Sequence, residues 1–360
     1  MMAVLESVPS LQTHPKTSKV GIAVIGYGYW GPNLVRNFAD SQDAAVVAVG
    51  DLSSTRLDVA ARRYPGIRTT TNVRALLTDP SVDAVAIATP VRDHFELALA
   101  ALRAGKHVLV EKPMTETSEQ ARRLIDEAAR RRLVLMVDHT FVYTPAVQKI
   151  RDIVAAKTLG TIYYYDSIRV NLGLFQRDVN VIWDLAVHDF AIIDYALAER
   201  PLAVSANGAS HVPESPENIA YITVFYESGM IGHINVNWLA PVKVRKTLIG
   251  GSEKMIVFDD LEPSEKLKIY DKGVTVRDDP ERLKQMLIGY RAGDMWAPQI
   301  ATREALSTEV EHFLGCIKSG AAPITDGNAG LRVVELLEAT TRSMQRRGDP
   351  VEFAVLPRAS

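Results

Sequence analysis

A glycine-rich turn between two apolar segments, within residues 20–51, is the sequence feature that most constrains the fold. The first apolar segment, residues 20–25, leads into the motif GYGYWG, and the second ends at Asp51, roughly 20 residues after the motif. In such a unit Gly26 permits a tight turn, Gly28 lets backbone amides approach a pyrophosphate, and Gly31 lets the next helix pack on the sheet. The spacing indicates a dinucleotide-binding strand, turn and helix, with the phosphates at a positive helix end.

The acidic residue at the end of the second strand bears on which dinucleotide binds. Asp51 can accept hydrogen bonds from the ribose hydroxyls and would repel a 2′-phosphate, so we expect NAD rather than NADP. Arg56 lies close enough in sequence to reach a phosphate, which leaves NADP as the less favoured alternative. The candidate cofactor-binding residues of this unit are Gly26, Tyr27, Gly28, Tyr29, Trp30, Gly31 and Asp51.

The first 140 residues alternate between short apolar runs and segments with helical spacing. This alternation predicts an α/β Rossmann domain, a doubly wound parallel sheet. The predicted strands are residues 20–25, 45–50, 83–88, 107–110 and 133–137. Two capping boxes predict helix starts, one at Asp93 with Glu96 and one at Thr117 with Gln120.

The pattern changes after residue 145, where β-rich runs follow one another with tight turns such as Gly250-Gly251-Ser252. This indicates an α+β domain with an open, mainly antiparallel sheet and helices near residues 182–198, 305–318 and 329–345. We therefore expect a flexible leader at residues 1–19, an NAD-binding Rossmann domain at 20–140, and a substrate-binding and oligomerisation domain at 141–360.

Composition excludes several classes of partner. The formal net charge of −2 comes without long runs of one sign, so we expect no nucleic-acid partner. No apolar run approaches the length of a membrane span, and the first 19 residues lack a signal-peptide pattern, so we expect no membrane partner. The single cysteine, Cys316, fits a reducing cytoplasm and a buried structural thiol.

Two positions carry the residue types that hydroxyl oxidation requires. Lys112 follows an apolar strand directly, at the edge where parallel sheets bind ligands, and its ammonium can stabilise a developing alkoxide. Asp184 and His188 lie one helical turn apart, so the imidazole can act as a general base and the carboxylate can orient it. A polar helix face or a zinc site would use the same spacing, but no further cluster of ligands accompanies the pair, and we predict no metal.

In ordered combination these segments resemble the Gfo/Idh/MocA oxidoreductase family from about residue 20 to residue 351. The matching pieces are the glycine motif, Ala88-Thr89-Pro90 with His94, the run from Ala104 to Pro113 that ends in Glu-Lys-Pro, Asp184-Leu185-Ala186-Val187-His188, and residues 325–331. Members often carry three glycines before the Asp-x-x-x-His segment, whereas this chain has Asp178-Val179-Asn180-Val181-Ile182-Trp183.

The resemblance implies a tightly held nicotinamide and a sugar, nucleotide-sugar or cyclitol substrate. It implies that Thr89, Pro90, Glu111 and Lys112 lie along the nicotinamide, and that Lys112, Asp184 and His188 are catalytic, with His188 as the acid/base. It also implies homodimers or homotetramers formed through the sheet of the second domain.

Residues 167–173 and 178–184 further resemble nucleotide-sugar 3-dehydrogenases. Arg169 would then meet a phosphate or carboxylate of the substrate, although a cross-strand ion pair is an equal alternative. His139 and Tyr143 are further candidates for the substrate pocket, beside Lys112, Asp184 and His188.

The sequence thus predicts an NAD-dependent dehydrogenase that oxidises a secondary ring hydroxyl, C3 of a sugar or nucleotide sugar. The alternatives are an inositol or free-sugar dehydrogenase, and an NAD(P)H-dependent ketoreductase in unusual-sugar biosynthesis. A non-catalytic NAD-binding regulator is the alternative of another class, and the presence of both Lys112 and His188 argues against it.

Overall fold

The computed structural model describes residues 19–173, 179–277 and 287–353. The predicted leader therefore lies outside the described residues except for Lys19, as does Asp178.

Residues 20–138 contain a six-stranded parallel sheet in the order β3-β2-β1-β4-β5-β6. The strands are β1 (Val20–Ile25), β2 (Ala44–Gly50), β3 (Arg68–Thr70), β4 (Ala84–Ile87), β5 (His107–Glu111) and β6 (Leu135–Asp138). The prediction of a doubly wound parallel sheet is confirmed. The sequence predicted five of its six strands. The short edge strand β3 was missed because it is polar and at most half-buried, so it has no apolar run.

Five helices cover this sheet: α1 (Gly31–Asp40), α2 (Ser54–Arg63), α3 (Val73–Leu77), α4 (Val91–Arg103) and α5 (Ser118–Arg131). The predicted start at Thr117 is correct, since its hydroxyl accepts a hydrogen bond from Gln120 N at 3.2 Å. The predicted start at Asp93 is wrong. Helix α4 begins at Val91, with Pro90 at the N-cap position, and Asp93 lies in its first turn, where a carboxylate is favoured by the helix dipole.

A 3₁₀ turn (Thr140–Tyr143) and α6 (Pro145–Ala155) lead into a nine-stranded sheet. Its order is β16-β13-β12-β11-β7-β10-β9-β8-β17, and only the β7–β10 pair is parallel. A separate pair, β14 with β15, is antiparallel. The second-domain strands are β7 (Ile162–Leu172), β8 (Pro201–Ala209), β9 (Ile219–Tyr226), β10 (Ile231–Asn237), β11 (Leu239–Gly251), β12 (Met255–Asp259), β13 (Leu267–Tyr270), β14 (Gly273–Arg277), β15 (Leu287–Arg291), β16 (Met295–Trp296) and β17 (Val351–Glu352).

The remaining helices are α7 (Val187–Leu197), α8 (Ala305–Ser319) and α9 (Gly327–Gln345). A π-helical turn (Ile182–Ala186) precedes α7. It takes the place of the first turn of the helix that was predicted near residues 182–198. In the described part of the chain, no helix is long and apolar enough to span a membrane.

The outer edge of β6 is completed by residues that lie far along the chain. Val137 N donates to Thr325 O at 2.8 Å, and the Thr325 hydroxyl donates to Val137 O at 2.7 Å. Helix α9 starts just beyond this contact and approaches β6 through glycine, since a Cβ on Gly330 would lie 2.7 Å from Val137 Cγ2. The same helix continues onto β8 of the second sheet, where Ser343 Oγ accepts from Ala206 N at 2.9 Å. One helix therefore packs on both sheets.

We predict that Gly330→Ala lowers the free energy of unfolding by about 1–3 kcal/mol, because the added methyl overpacks the contact with β6. Gly315→Ala is the matched control, since Gly315 is an exposed helix residue whose added Cβ meets nothing within 4 Å. That control should be neutral or stabilising by about 1 kcal/mol. Urea denaturation of the two variants tests the difference, and equal stabilities would contradict the tight contact.

Candidate active site

The glycine motif forms a tight turn between β1 and α1. Gly26 has φ +94°, and a Cβ there would lie 2.4 Å from Ala88 O. A Cβ on Gly31 would lie 2.0 Å from Gly26 O, so this position also requires glycine. A Cβ on Gly28 would meet only the Arg56 guanidinium, at 3.8 Å. The protein itself therefore demands glycine at 26 and 31, whereas open space lies beside 28.

Asp51 directly follows β2, and its carboxylate is directed at the same turn. Its Oδ2 accepts from Tyr27 N at 2.7 Å, and its Oδ1 accepts from Ser53 N at 2.8 Å. The Arg56 guanidinium lies 3.6 Å from Oδ2. These contacts fix the carboxylate where the sequence analysis expects a ribose, with a cation beside it.

The loops after β4 and β5 are tied together by a buried histidine. The ring nitrogens of His94 lie 2.9 Å from Pro113 O and 2.8 Å from Thr89 O. The Thr89 hydroxyl is buried and has no hydrogen-bond partner. A buried hydroxyl without a partner is unfavourable, so a polar ligand group fits beside it. The glycine cradle and this hydroxyl together suit a bound dinucleotide.

Lys112 connects the two domains at the carboxyl end of β5. Its Nζ donates to Asp184 O at 2.9 Å and lies 3.3 Å from Asp184 Oδ1. The other carboxylate oxygen of Asp184 accepts from Trp238 Nε1 at 3.1 Å. The ammonium is only 15% exposed, so its direction is set by Asp184.

His188 lies in the first turn of α7, against the ring of Phe141, with centroids 4.8 Å apart. Its Nδ1 is buried and has no hydrogen-bond partner. No hydrogen bond to Nδ1 therefore supports the prediction that Asp184 orients the imidazole. The imidazole ring instead packs against Phe141. Burial lowers the pKa of His188 well below its usual value, and the nearby cations Lys112, Arg169 and Arg245 lower it further. The imidazole is thus neutral and can accept a proton.

Two arginines pack against Phe141, with guanidinium carbons 4.6 Å (Arg169) and 5.1 Å (Arg245) from the ring centroid. Arg169 is 3% exposed, and its Nε donates to Asp189 Oδ2 at 2.7 Å. The ion pair left open by the sequence analysis thus exists, but its partner is on α7 rather than on a neighbouring strand. Arg245 pairs with Asp260 at 2.8 Å. One buried nitrogen on each arginine, Nη1 of Arg169 and Nε of Arg245, has no partner.

Buried carboxyl groups lie behind Lys112. Burial raises the pKa of Glu111, of Asp138 and of Glu309, and their mutual repulsion contributes for Glu111 and Glu309. Asp138 accepts from Trp30 Nε1 at 2.6 Å, so the glycine turn is linked to β6. Trp30 thus supports the turn as a structural residue, while Tyr29 remains 84% exposed.

His139 and Tyr143 are both buried, but they differ in what surrounds them. The Tyr143 hydroxyl lies 2.9 Å from the Thr325 hydroxyl, and the side chain is 1% exposed. This position in the core argues against the predicted contact of Tyr143 with substrate. His139 lines a cavity between α6, α7 and α9, and both of its ring nitrogens lack partners. Its role in the substrate pocket stays a prediction.

Three side chains that shape the site were missed by the sequence analysis: Phe141, Trp238 and Arg245. Each lies in an ordinary apolar or β-rich segment, and each reaches the site through tertiary contacts. The register of β11 on β7, which pairs Arg245 with Arg169, is the signal that could have indicated the second arginine. Among the described residues, no group of three or more side chains could hold a metal ion.

Comparison with known families agrees with this geometry. A family model described as an oxidoreductase family with an NAD-binding Rossmann fold matches residues 20–139. A model of the GFO/IDH/MocA C-terminal domain matches residues 147–257. The cofactor of this fold is NAD, as the Asp51 position predicts.

Individual relatives match along most of the chain. UDP-N-acetylglucosamine 3-dehydrogenase of Acidithiobacillus ferrooxidans is 31% identical over 320 residues, which cover 86% of this chain and 93% of that protein. A solved structure of that bacterium's enzyme has a TM-score of 0.75 at 27% identity and covers 91% of this chain and 99% of its own. The NAD⁺-dependent scyllo-inositol 2-dehydrogenase of Bacillus subtilis is 25% identical, covering 94% and 97% of the two chains.

The open space beside Gly28 leads to a prediction about the cofactor. Gly28→Ala should leave the thermal midpoint unchanged but weaken NAD binding about tenfold or more, or about 1.4 kcal/mol, because a pyrophosphate approaches that backbone closely. Gly31→Ala should lower both stability and affinity. Thermal melts and fluorescence titration with NAD test the pair, and unchanged NAD affinity in Gly28→Ala would place the phosphates elsewhere.

Proposed function

This chain belongs to the Gfo/Idh/MocA oxidoreductases, and from that premise we propose that it oxidises a secondary ring hydroxyl, C3 of a nucleotide-activated sugar, with NAD as hydride acceptor. The observation that carries the proposal is the meeting of a fixed ammonium and a neutral imidazole at one edge of the sheet. Lys112 is held by Asp184, and its positive charge contributes to the lowered pKa of His188. A cation beside a neutral base suits the removal of a hydroxyl proton.

The cofactor would be held by the turn at Gly26–Gly31, by Asp51 at the ribose, and by Thr89, Pro90 and Glu111 along the nicotinamide. When bound, NAD supplies the acceptor for the hydride. Burial raises the pKa of Glu111, which disfavours a negative charge on that carboxyl beside the expected nicotinamide position.

The chain's own residues would carry the proton. Lys112 Nζ would donate a hydrogen bond to the substrate hydroxyl oxygen and stabilise the developing alkoxide. His188 would take the hydroxyl proton at Nε2, because Nδ1 is buried. Asp184 would hold the ammonium in place. In the reverse direction His188 would return the proton, so the same site serves a ketone reduction.

The arginines beside Phe141 favour a substrate that carries negative charge. Arg169 and Arg245 each leave a buried nitrogen without a partner, and a planar guanidinium suits a phosphate or carboxylate oxygen. A nucleotide sugar meets this requirement, whereas an inositol or free sugar does not. The similarity to UDP-N-acetylglucosamine 3-dehydrogenase agrees with this choice, and the similarity to an inositol dehydrogenase keeps the polyol as the second candidate.

We further propose the division of the chain near residue 140 and an assembly of two or four copies. The six-stranded sheet ends at Asp138, which supports the division. The uncovered face of the nine-stranded sheet exposes Tyr164, Ile168, Tyr221 and Ile231, a surface that a second copy would bury.

We also propose that the protein is located in the cytoplasm, because the buried free thiol of Cys316 suits a reducing compartment.

The proposal predicts NAD reduction, followed at 340 nm, with nucleotide sugars rather than with free hexoses, sugar phosphates or inositols. Lys112→Met should lower turnover at least about a hundredfold while NAD still binds, because the ammonium acts on the reacting oxygen. Reduction with a free polyol alone would move the assignment to the inositol branch. No reaction in either direction, with NAD bound tightly, would favour a regulator.

The lowered pKa of His188 predicts the pH dependence. The neutral base persists below pH 6.5, so the acid limb of kcat/KM should lie below that value. Arg245→Gln removes a cation that lowers this pKa and should move the limb upward by about half a pH unit or more. Arg245→Lys keeps the charge and should not move it. An acid limb at or above 6.5 in the unmodified protein would exclude His188 as the base.

A further inference from the structure

A cavity lies between α6, α7 and α9, and none of the glycine-turn residues line it. Its volume is about 230 Å³, the space of roughly eight water molecules. Two of its walls are the face of α7 that continues beyond His188 and the first two turns of α9. The residues that the argument uses are His139, Arg151, Asp194, Tyr195 and Arg332.

The charged groups of the cavity do not cancel. Arg332 binds Asp194 through two hydrogen bonds, of 2.6 and 2.7 Å, so these two charges neutralise each other. Arg151 lies over the ring of Tyr195, with its guanidinium carbon 4.5 Å from the ring centroid. Within the described ranges no carboxylate oxygen lies within 4.0 Å of Arg151. Arg151, whose side chain is exposed, therefore brings to the wall of the cavity a positive charge that no described carboxylate pairs with.

His139 adds an independent sign of a ligand. The side chain is 2% exposed and lines the cavity, yet neither ring nitrogen has a hydrogen-bond partner. Burial lowers the pKa of His139 to about 3, so the ring is neutral and offers one donor and one acceptor. Buried polar groups in folded proteins are normally satisfied, and an unsatisfied one calls for a bound partner.

We propose that this cavity is a second small-molecule site, which binds a small organic anion of about ten non-hydrogen atoms. Its carboxylate or phosphate would pair with Arg151, and a hydroxyl or carbonyl oxygen would reach His139. The paired Arg332 and Asp194 would form the polar wall between them. A neutral polyol of the same size would form no ion pair with Arg151 and would therefore bind more weakly.

The position of the site gives it a route to the catalytic residues. His139 directly precedes the 3₁₀ turn that carries Phe141, and Phe141 packs on His188. Helix α7 carries His188 in its first turn and Asp194 and Tyr195 two turns later. An anion that orders His139 and α7 would therefore change turnover. This last step rests on the proposed function, whereas binding itself does not.

Isothermal titration of the NADH-loaded protein with L-malate and with glycerol 3-phosphate tests the site, with glycerol as the neutral control. At least one anion should bind, with glycerol at least tenfold weaker, and Arg151→Gln should weaken that binding at least tenfold. Arg151→Lys should retain most of it. Arg103→Gln, an exposed arginine on α4, should bind as the unmodified protein does.

Two results would overturn the proposal. If neither anion binds, or if Arg151→Gln binds as well as Arg103→Gln, the cavity is not an anion site. If Lys112→Met abolishes the binding while Arg151→Gln retains it, the anion occupies the catalytic pocket instead. Because titration needs no turnover, failure of the proposed dehydrogenase activity would leave these outcomes readable.

Discussion

The contact of Lys112 with Asp184 is the interaction on which the organisation of the site depends. Lys112 directly follows β5 of the first sheet, and Asp184 lies in the π-helical turn before α7, so one ammonium joins the two domains. Both groups are largely withdrawn from water, and the cost of desolvating them offsets most of their attraction. The main effect of the pair is therefore to orient the ammonium and to keep its charge near His188.

Burial supplies the proton chemistry around that contact. The same desolvation that lowers the pKa of His188 raises the pKa values of Glu111, Asp138 and Glu309, so burial disfavours the charged form of each of these groups. Lys112 is held by Asp184. Arg169 and Arg245 are each anchored to an aspartate, and they act on His188 through Phe141 and through their field.

Much of the first domain could be predicted because its signals are local. The glycines of the turn, the acid at Asp51 and the apolar strands are all dictated by short-range sterics and periodicity. Asp93 misled the prediction because an acidic residue is favoured in the first turn of a helix as well as at its N-cap, and the structure places Asp93 in the first turn. The site was harder, since Phe141, Trp238 and Arg245 meet His188 and Asp184 only after two sheets pack. The π-helical turn was missed because nothing in the sequence of residues 182–186 breaks the helical spacing.

The completion of β6 by Thr325 has a consequence for how the chain acquires its structure. The edge strand of the first sheet receives its last backbone partner from a residue 188 positions later, and the helix that covers it begins only at Gly327. During synthesis on the ribosome, the first sheet would keep an unpaired edge at β6 until the residues that start α9 have emerged. Completion of this sheet is thus coupled to α9, and over that interval the exposed strand edge favours non-native pairing of the nascent chain.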